Sequence, residues 1–442
     1  MAAGVSDVRR MLKEEKIRFL RLQFTDILGI PKNVEVPEKQ FDKALDGKIM
    51  FDGSSIEGFV RIEESDMYLK PDLGTCRVLP WEETRGRTAS LICDVHDHDE
   101  RPFMGCPRGN LKRVLGLASD MGYTLMAGPE AEFFLFQLDE QGNPTVNTHD
   151  NAGYFDLGPT DKGEDCRQAI INALEKLGFE VEAGHHEVAP GQHEVDFKYA
   201  DALATADNVV MFKLVVRKVA ADFGLHATFM PKPVAGINGS GMHCNLSIFK
   251  TGRNVFFDPK ARYQISDVGL HFIGGLLAHA RGMCAITNPS INSYKRLLPG
   301  YEAPTNIAWS EKNRSPLCRV PASRGLGTRV ELRMPDPTTN PYLALAVMLQ
   351  SGLDGIQRKI DPGPPVNKNI FEMSHREKRR LRIDDLPHDL NEALKALKKD
   401  EIVRNALSEH IYANFVAAKQ AALAEYNSAV HKWELDRYLA GY

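Results

Sequence analysis

The 442-residue chain has few of the features that mark a protein for export, a membrane or nucleic acid. Its cysteines (Cys76, Cys93, Cys106, Cys166, Cys244, Cys284 and Cys318) are scattered and form no CxxC pair. That argues against a disulfide framework or a structural zinc knot and for a reducing cytoplasm, with each thiol a small packing residue. No apolar run approaches the ~18 residues of a membrane span. Asp7, Arg9, Arg10, Lys13, Glu14 and Glu15 interrupt the apolar core that a leader peptide would need. Neither sign of charge dominates: 55 Lys and Arg against 59 Asp and Glu leave −4, which gives no pull toward nucleic acid or an anionic membrane. The GxxxxGK[ST] phosphate loop and the GxSxG nucleophile elbow are also missing. What remains is ordinary globular composition, 43% hydrophobic and 26% charged, at a length for two or three domains.

The spacing of Val8, Met11, Leu12 and Ile17 predicts an amphipathic helix over 6–18. Strand-like runs at 19–26, 33–36, 75–78 and 89–95, punctuated by Gly29, Pro31 and Gly74, predict a small sheet-rich N-terminal domain, residues 1–103. The charged stretch at its end, with His96 and His98, reads as a solvated loop in preference to a metal site. Beyond it, helical stretches (109–121, 164–177, 200–223, 264–286, 340–360) alternate with strands (124–138, 179–183, 242–249, 328–334) without a βαβ rhythm. A larger α+β domain on an antiparallel sheet, residues 104–442, follows from that pattern. Residues 361–365 are a breaker, and after Asp389 the chain reads as helical down to an aromatic tail. That tail packs on its own core or on a neighbouring subunit.

Chemistry concentrates in five segments. In Gly128-Pro-Glu-Ala-Glu-Phe-Phe-Leu-Phe136, strand alternation puts Glu130 and Glu132 on one face. Two carboxylates 4 Å apart repel by roughly 4 kcal/mol at an effective dielectric of about 20, so they need a cation or solvent between them. Alone, the pair reads as readily as a solvent-facing edge. Residues 179–194 then add Glu180, Glu182, Glu187, Glu194 and three histidines; such an oxygen-rich set suits Mg²⁺ or Mn²⁺ better than zinc. His185 and His186 point opposite ways on an extended chain, so at most one faces that site. In residues 238–247, His243, Asn245 and Ser247 alternate with apolar residues after a Gly-Ser-Gly turn that lets backbone approach a ligand. In Thr328-Arg-Val-Glu-Leu-Arg-Met334, Arg329, Glu331 and Arg333 share a face, as an ion-pair ladder or as a metal ligand flanked by anion binders. Arg296, Arg314 and Arg319 sit in Pro/Gly-rich connections, as surface charge or as phosphate and carboxylate forks. Acidic strands with an arginine set fit metal-assisted handling of a polyphosphate.

Four stretches carry a resemblance: Phe51-Asp-Gly-Ser-Ser-Ile-Glu-Gly-Phe59, the PEAEFF strand, Lys232-Pro with Asn238-Gly-Ser-Gly-Met-His243, and Asn313-Arg-Ser315 with Arg329-Val-Glu-Leu-Arg-Met-Pro-Asp336. Together they resemble signatures of bacterial type I glutamine synthetases, along essentially the whole chain. The resemblance implies a β-grasp N-terminal domain, and a catalytic domain whose curved antiparallel sheet is flanked by helices. It implies a dodecamer of two stacked hexameric rings, with active sites between subunits and a C-terminal tail, ending at Tyr442, inserted into the opposite ring. The implied reaction is ATP-dependent ligation of L-glutamate and ammonia to L-glutamine through γ-glutamyl phosphate, with Mg²⁺ or Mn²⁺, two or more per site.

Matched by position, the resemblance implies Glu132, Glu187 and Glu194 as ligands of one metal and Glu130, His243 and Glu331 as ligands of another. Asn238, Gly239, Arg296, Glu302 and Arg333 match glutamate binders, Glu302 on a flap that closes the site. Arg314 and Arg319 match phosphate contacts; Glu182, Asn245, Ser247 and Arg329 match nucleotide contacts. Asp52, reaching in from the next subunit, matches the base that deprotonates ammonium, and Arg314 and Arg333 complete the catalytic set. Phe371 in residues 367–373 stands where adenylylated relatives carry tyrosine, and the chain is short, which resembles the α subtype of low-G+C Gram-positive bacteria. That subtype implies glutamine feedback inhibition involving Arg61, and binding of MerR-type nitrogen regulators; Arg61 reads equally as an ion pair with Glu63 or Glu64. The alternative on the same scaffold is a γ-glutamyl ligase for an amine or polyamine. The charges of Asp52 and Glu302 favour ammonium.

Overall fold

The helix Val5–Glu14 turns its apolar stripe inward, burying Val8 and Leu12. It stops short of the expected 18 because Lys16 takes a left-handed φ of 53°, and the chain leaves as a strand with Ile17 buried at its start. A computed structural model describes residues 4–56, 58, 66–81 and 86–441. Arg61 and Tyr442 lie outside the described residues. The N-terminal strands are β1 (Ile17–Thr25), β2 (Pro31–Pro37), β3 (Ile49–Asp52), β4 (Asp66–Val78) and β5 (Arg87–His96). They form one sheet in the order β2-β1-β5-β4-β3, parallel between β1 and β5 and antiparallel elsewhere. Leu20 and Leu22 alternate into its fully buried face.

The larger part carries β6 (Thr124–Ala131), β7 (Phe133–Leu138), β8 (Pro144–Thr148), β9 (Val181–His186), β10 (Gln192–Phe197), β11 (Ala200–Asp201), β12 (Leu225–Thr228), β13 (Met242–Lys250) and β14 (Arg253–Asn254). Shorter strands follow: β15 (Asn306–Ile307), β16 (Trp309–Ser310), β17 (Cys318–Arg319), β18 (Val330–Leu332) and β19 (Asp384–Asp385). Two sheets dominate. One runs β12-β7-β10-β9 with β8 beside β7; the other runs β11-β6-β13-β18-β17-β16 with β14 beside β13. Both are antiparallel except for the pair β16 and β17.

The stretch expected as one strand over 124–138 divides at Glu132, and its halves enter different sheets. The helix expected over 264–286 divides at His279, whose φ of −103° ends Asp267–Ala278 and begins Ala280–Thr287. Behind the sheets, Pro341–Arg358 is buried along nearly its whole length. It meets Asp267–Ala278 so closely that a Cβ on Gly275 would come 2.1 Å from the Ser351 carbonyl oxygen.

Arg108, 3% exposed, ties the two parts together. Its guanidinium donates to Asp72 of β4, Asp94 of β5 and Asp207 of the helix Ala202–Asp222. At a second junction, Asn340 Nδ2 donates to the Asp26 carbonyl at 3.0 Å. Gly29 (φ 87°) lies there because any Cβ would sit 2.9 Å from the Asn340 Cα. No helix among the described residues is long and apolar enough to cross a membrane.

Candidate active site

The site forms where the two main sheets part. β6 ends at Ala131 and β7 begins at Phe133; the Glu132 amide between them donates to the Gly241 carbonyl at 3.0 Å. The Gly-rich turn therefore lies against the gap, and β13 leaves it in register, with His243 opposite Glu130 and Asn245 opposite both Gly128 and Glu331. Met242, Cys244, Leu246 and Ile248 go into the core, which turns His243 and Asn245 the other way.

Glu130, His243 and Glu331 thus converge. His243 Nδ1 is 3.7 Å from Glu130 Oε2 and 3.8 Å from Glu331 Oε1, and one ligand atom of each lies within 4.8 Å of the others. A second cluster joins His185, Glu187 and Glu194. His185 lies 3.6 Å from Glu187 by Nδ1 and 3.5 Å from Glu194 by Nε2. Glu132 lines the same cleft, but its Oε2 is engaged, accepting from Gln192 Nε2 at 2.8 Å and the Gly241 amide at 3.0 Å.

Burial pushes the Glu132 carboxyl up to about 8, with the Glu187 charge adding to it. Burial raises Glu187 to about 7 and holds Glu194 well above the carboxylate range. Burial and the charge of Glu130 raise Asp196 to about 7. His243 is pushed well below its ordinary value by burial and then by Arg333, so it presents a neutral ring with a lone pair. Such a set resists ionising on its own and ionises readily around a divalent cation, the chemistry of an oxygen-rich site.

Cations line the other wall. Arg319 and Arg333 each donate to Glu331, one to each oxygen. Arg296, 2% exposed, gives its N–H groups to the carbonyls of Arg333, Met334 and Pro335. Arg314 stands beside the Tyr154 hydroxyl. Asn238 Nδ2 donates to Glu302 Oε2 at 3.3 Å, and Glu302 carries a positive φ of 56°, a strained backbone state of the kind found in switching segments. Gly239, Arg296, Glu302 and Arg314 all line this cleft of about 250 Å³.

A second cavity, about 350 Å³, adjoins it and shares Glu130 and Asp196. Glu182, Asn245, Ser247 and Arg329 line it together with the apolar Met126, Pro129, Phe197 and Leu326. Asn245 links Arg329 to Glu130, which lines both cavities: its Nδ2 donates to Glu130 Oε1 at 2.7 Å, and its Oδ1 accepts from Arg329 Nε at 2.9 Å.

Asp52 is placed elsewhere. It ends β3, is exposed, and lines neither cavity of its own chain. Hydrogen bonds from the Ser54 hydroxyl and amide lower its pKa. Which of His185 and His186 faces the site was left open by the sequence, and Asp196 was not named. Asp196 was legible, because it follows Glu194 by two on one strand and so shares its face. The His185–His186 pair divides as alternation requires: His186 Nε2 turns away to Asp150 at 3.3 Å.

A third cluster, His149, Asp150, Asp161 and His193, is buried behind the cleft. Arg167 donates to His193 Nδ1 at 3.0 Å, which leaves the ring proton on Nε2. His193 therefore offers no lone pair inward, and the group reads as an anchor for residues 149–163 rather than a metal site.

The family description "Glutamine synthetase, catalytic domain" matches residues 104–438, and "Glutamine synthetase, beta-Grasp domain" matches residues 16–98. A glutamine synthetase of Thermus thermophilus is 62% identical over 441 residues, covering 99% of each chain. One from Staphylococcus epidermidis is 57% identical over 437 residues, 99% of this chain and 98% of the other. Among solved structures, a GmaS complex with ADP superposes with a TM-score of 0.90 at 33% identity, covering all of both chains.

Proposed function

The chain belongs to the glutamine synthetase family and catalyses that family's reaction, the ATP-dependent joining of L-glutamate and ammonia into L-glutamine; we propose that it does so across the two adjoining cavities. The observation that carries this reading is the wall they share. ATP in the Asn245–Arg329 cavity would direct its terminal phosphate past Glu130 and Asp196 into the acidic cleft. Glu130, His243 and Glu331 would hold one Mg²⁺ or Mn²⁺, and Glu132, Glu187 and Glu194 another, with His185 beside the latter pair. Bound there, the ions supply positive charge to the phosphate chain.

A carboxylate does not condense with ammonia in water to a useful extent, so it must first gain a leaving group. The glutamate γ-carboxylate, held by Arg296, Asn238 and Gly239, attacks the terminal phosphorus, ADP departs, and γ-glutamyl phosphate forms. Arg314, Arg319 and Arg333 offset the charge on the transferring oxygens. Ammonium is drawn to the negative end of the cleft near Glu302. Asp52 of a neighbouring subunit takes its proton, and the amine displaces phosphate from the acyl carbon. Glu302 closing over the cleft keeps water from the acyl phosphate. Dependence on a neighbour's Asp52 fits a multimer, here a dodecamer of two hexameric rings with the C-terminal tail clasping the opposite ring. The exposed Trp433, Tyr438 and Leu439 support that docking. A cytoplasmic location, feedback inhibition by glutamine with Arg61 taking part, and binding of MerR-type nitrogen regulators complete this reading.

The test is phosphate release from ATP, Mg²⁺ and glutamate, measured without acceptor, with ammonium, and with amines and polyamines. Ammonium-dependent release with glutamine as product is expected. Turnover with a polyamine but not with ammonium would select the amine-ligase reading instead.

A further inference from the structure

A cavity of about 360 Å³ opens away from the acidic cleft, between the turn at residues 28–31, the helix Ala202–Asp222 and residues 228–231. Leu28, Ile30, Val210, Phe229 and Met230 give it an apolar lining. Lys213 and Arg217 enter from one helix face, four residues apart. Among the described residues, no carboxylate lines this cavity and neither cation makes an ion pair. Lys213 Nζ donates to the carbonyls of Pro337 and Thr339. The Arg217 guanidinium lies 5.4 Å over the Phe229 ring, and its N–H groups find no protein acceptor among the described residues. Among the described residues, the carboxylate whose charge reaches Lys213 is Asp336. Its oxygens are committed, Oδ1 to the Thr338 amide and hydroxyl and Oδ2 to Asn288 Nδ2 at 3.0 Å.

Two like charges four apart on a helix destabilise it unless something neutralises them. Burial, with the Arg217 charge adding to it, pushes the Lys213 amine down to about 7. An anion placed between the two groups would restore the lysine's charge and receive the guanidinium fork. The volume lies at the low end for small-molecule sites.

We propose that this cavity is a second ligand site, one that takes a small anion. Its carboxylate or phosphate head sits between Lys213 and Arg217, and a branched aliphatic body of a few carbons lies against Leu28, Ile30 and Phe229. Residues 231–240 connect the site to the catalytic cleft, with Pro231 lining the one and Asn238 and Gly239 the other. The Pro231 carbonyl accepts from the Ser240 amide at 2.8 Å, and Asn292 Oδ1 accepts from the Lys232 amide at 2.7 Å. Those bonds hold the loop that carries Asn238 and Gly239, so an occupant pressing on Pro231 also shifts the apparent KM for glutamate.

The test is titration calorimetry on the assembled full-length enzyme, with ADP and Mn²⁺ keeping the catalytic cavities filled. The probes are 3-methylbutanoate and isobutyl phosphate. At least one is expected to bind with a millimolar or tighter Kd, and Arg217→Gln is expected to weaken it by about tenfold or more. Arg217 is exposed and outside the catalytic machinery, so this variant folds and keeps its glutamine synthesis unchanged without probe. Which probe binds tighter identifies the head group. Binding that Arg217→Gln leaves untouched overturns the proposal. So does an absence of binding to the wild type, the result expected where a neighbouring subunit's carboxylate fills the cavity. A probe that binds yet leaves the KM for glutamate unchanged overturns the link to the loop.

Discussion

Glu331 accepts a hydrogen bond from Arg333, two residues further along the chain, while Arg319 holds its other oxygen. A carboxylate gripped on both sides is fixed in position, and the two arginines compete with a metal for its oxygens. Glu331→Gln should therefore lower both Mn²⁺ affinity and turnover. Arg333→Gln should lower kcat by about 10²-fold, the scale of losing one preorganised contact to a developing charge. It should also leave Mn²⁺ affinity equal or tighter. Competition binding of Mn²⁺ beside steady-state kinetics separates the two; loss of Mn²⁺ affinity in Arg333→Gln would show that the arginine organises the site instead.

Asn245 lines the cavity proposed for ATP and not the acidic cleft, so its loss should act on the nucleotide and not on glutamate. Asn245→Ala leaves Arg329 Nε and Glu130 Oε1 without their shared partner. A roughly tenfold fall in kcat/KM for ATP is expected, the cost of about one hydrogen bond to a charged group. The KM for glutamate should hold. An equal rise in both KM values would mean that Asn245 supports the whole cleft.

The polar faces of β13 and β18 were legible in the sequence because a two-residue period is a local property, and His243, Asn245 and Glu331 needed only that. The break at Glu132 was not legible. Residues 124–138 are continuously strand-like, and the break comes from the Gly241 carbonyl, which is 109 residues away in the chain and captures the Glu132 amide. The division at His279 was hidden for a related reason: its partners Asp354 and Asp400 come from distant helices. Which side of a cavity Arg296, Arg314 or Arg319 would face could not be read from loops without period. Their placement as ligands rested on resemblance to family motifs rather than on spacing.

Arg108 is the cation at the junction between the N-terminal sheet and the catalytic helices, 2.7 Å from Asp72, 3.0 Å from Asp94 and 2.9 Å from Asp207. Arg108→Met would leave Asp207, which Tyr342 also contacts, as an unpaired buried carboxylate. Breaking one partner of such a group costs about 3–5 kcal/mol. Arg108→Lys should recover only part, because a single ammonium cannot span three carboxylates as a planar fork does. Urea unfolding of the three proteins, followed by circular dichroism, checks the order; equal stability of the Arg and Lys forms would contradict it.

His279 makes a prediction whose sign can be worked out. Its Nδ1 lies 2.8 Å from Asp400 Oδ2 and its Nε2 2.9 Å from Asp354 Oδ2, so both nitrogens must donate and the ring is an imidazolium. Burial alone would lower its pKa, but the hydrogen bonds to Asp400 and Asp354 outweigh burial and raise it above the ordinary value. The unfolded chain titrates this group near pH 6.5. Below that, folded and unfolded states both carry the proton and the contribution is complete. As pH rises through the raised folded pKa the native state loses the proton, and the contribution is lost with it. His279→Leu removes the cation and leaves two carboxylates facing an apolar side chain, at a cost of about 3 kcal/mol in mildly acidic solution. The stability gap between wild type and His279→Leu should then narrow on the alkaline side. Denaturation series in buffers from mildly acidic to alkaline measure that gap directly, and a gap that stays constant across the series would show that the ring is neutral in the native protein.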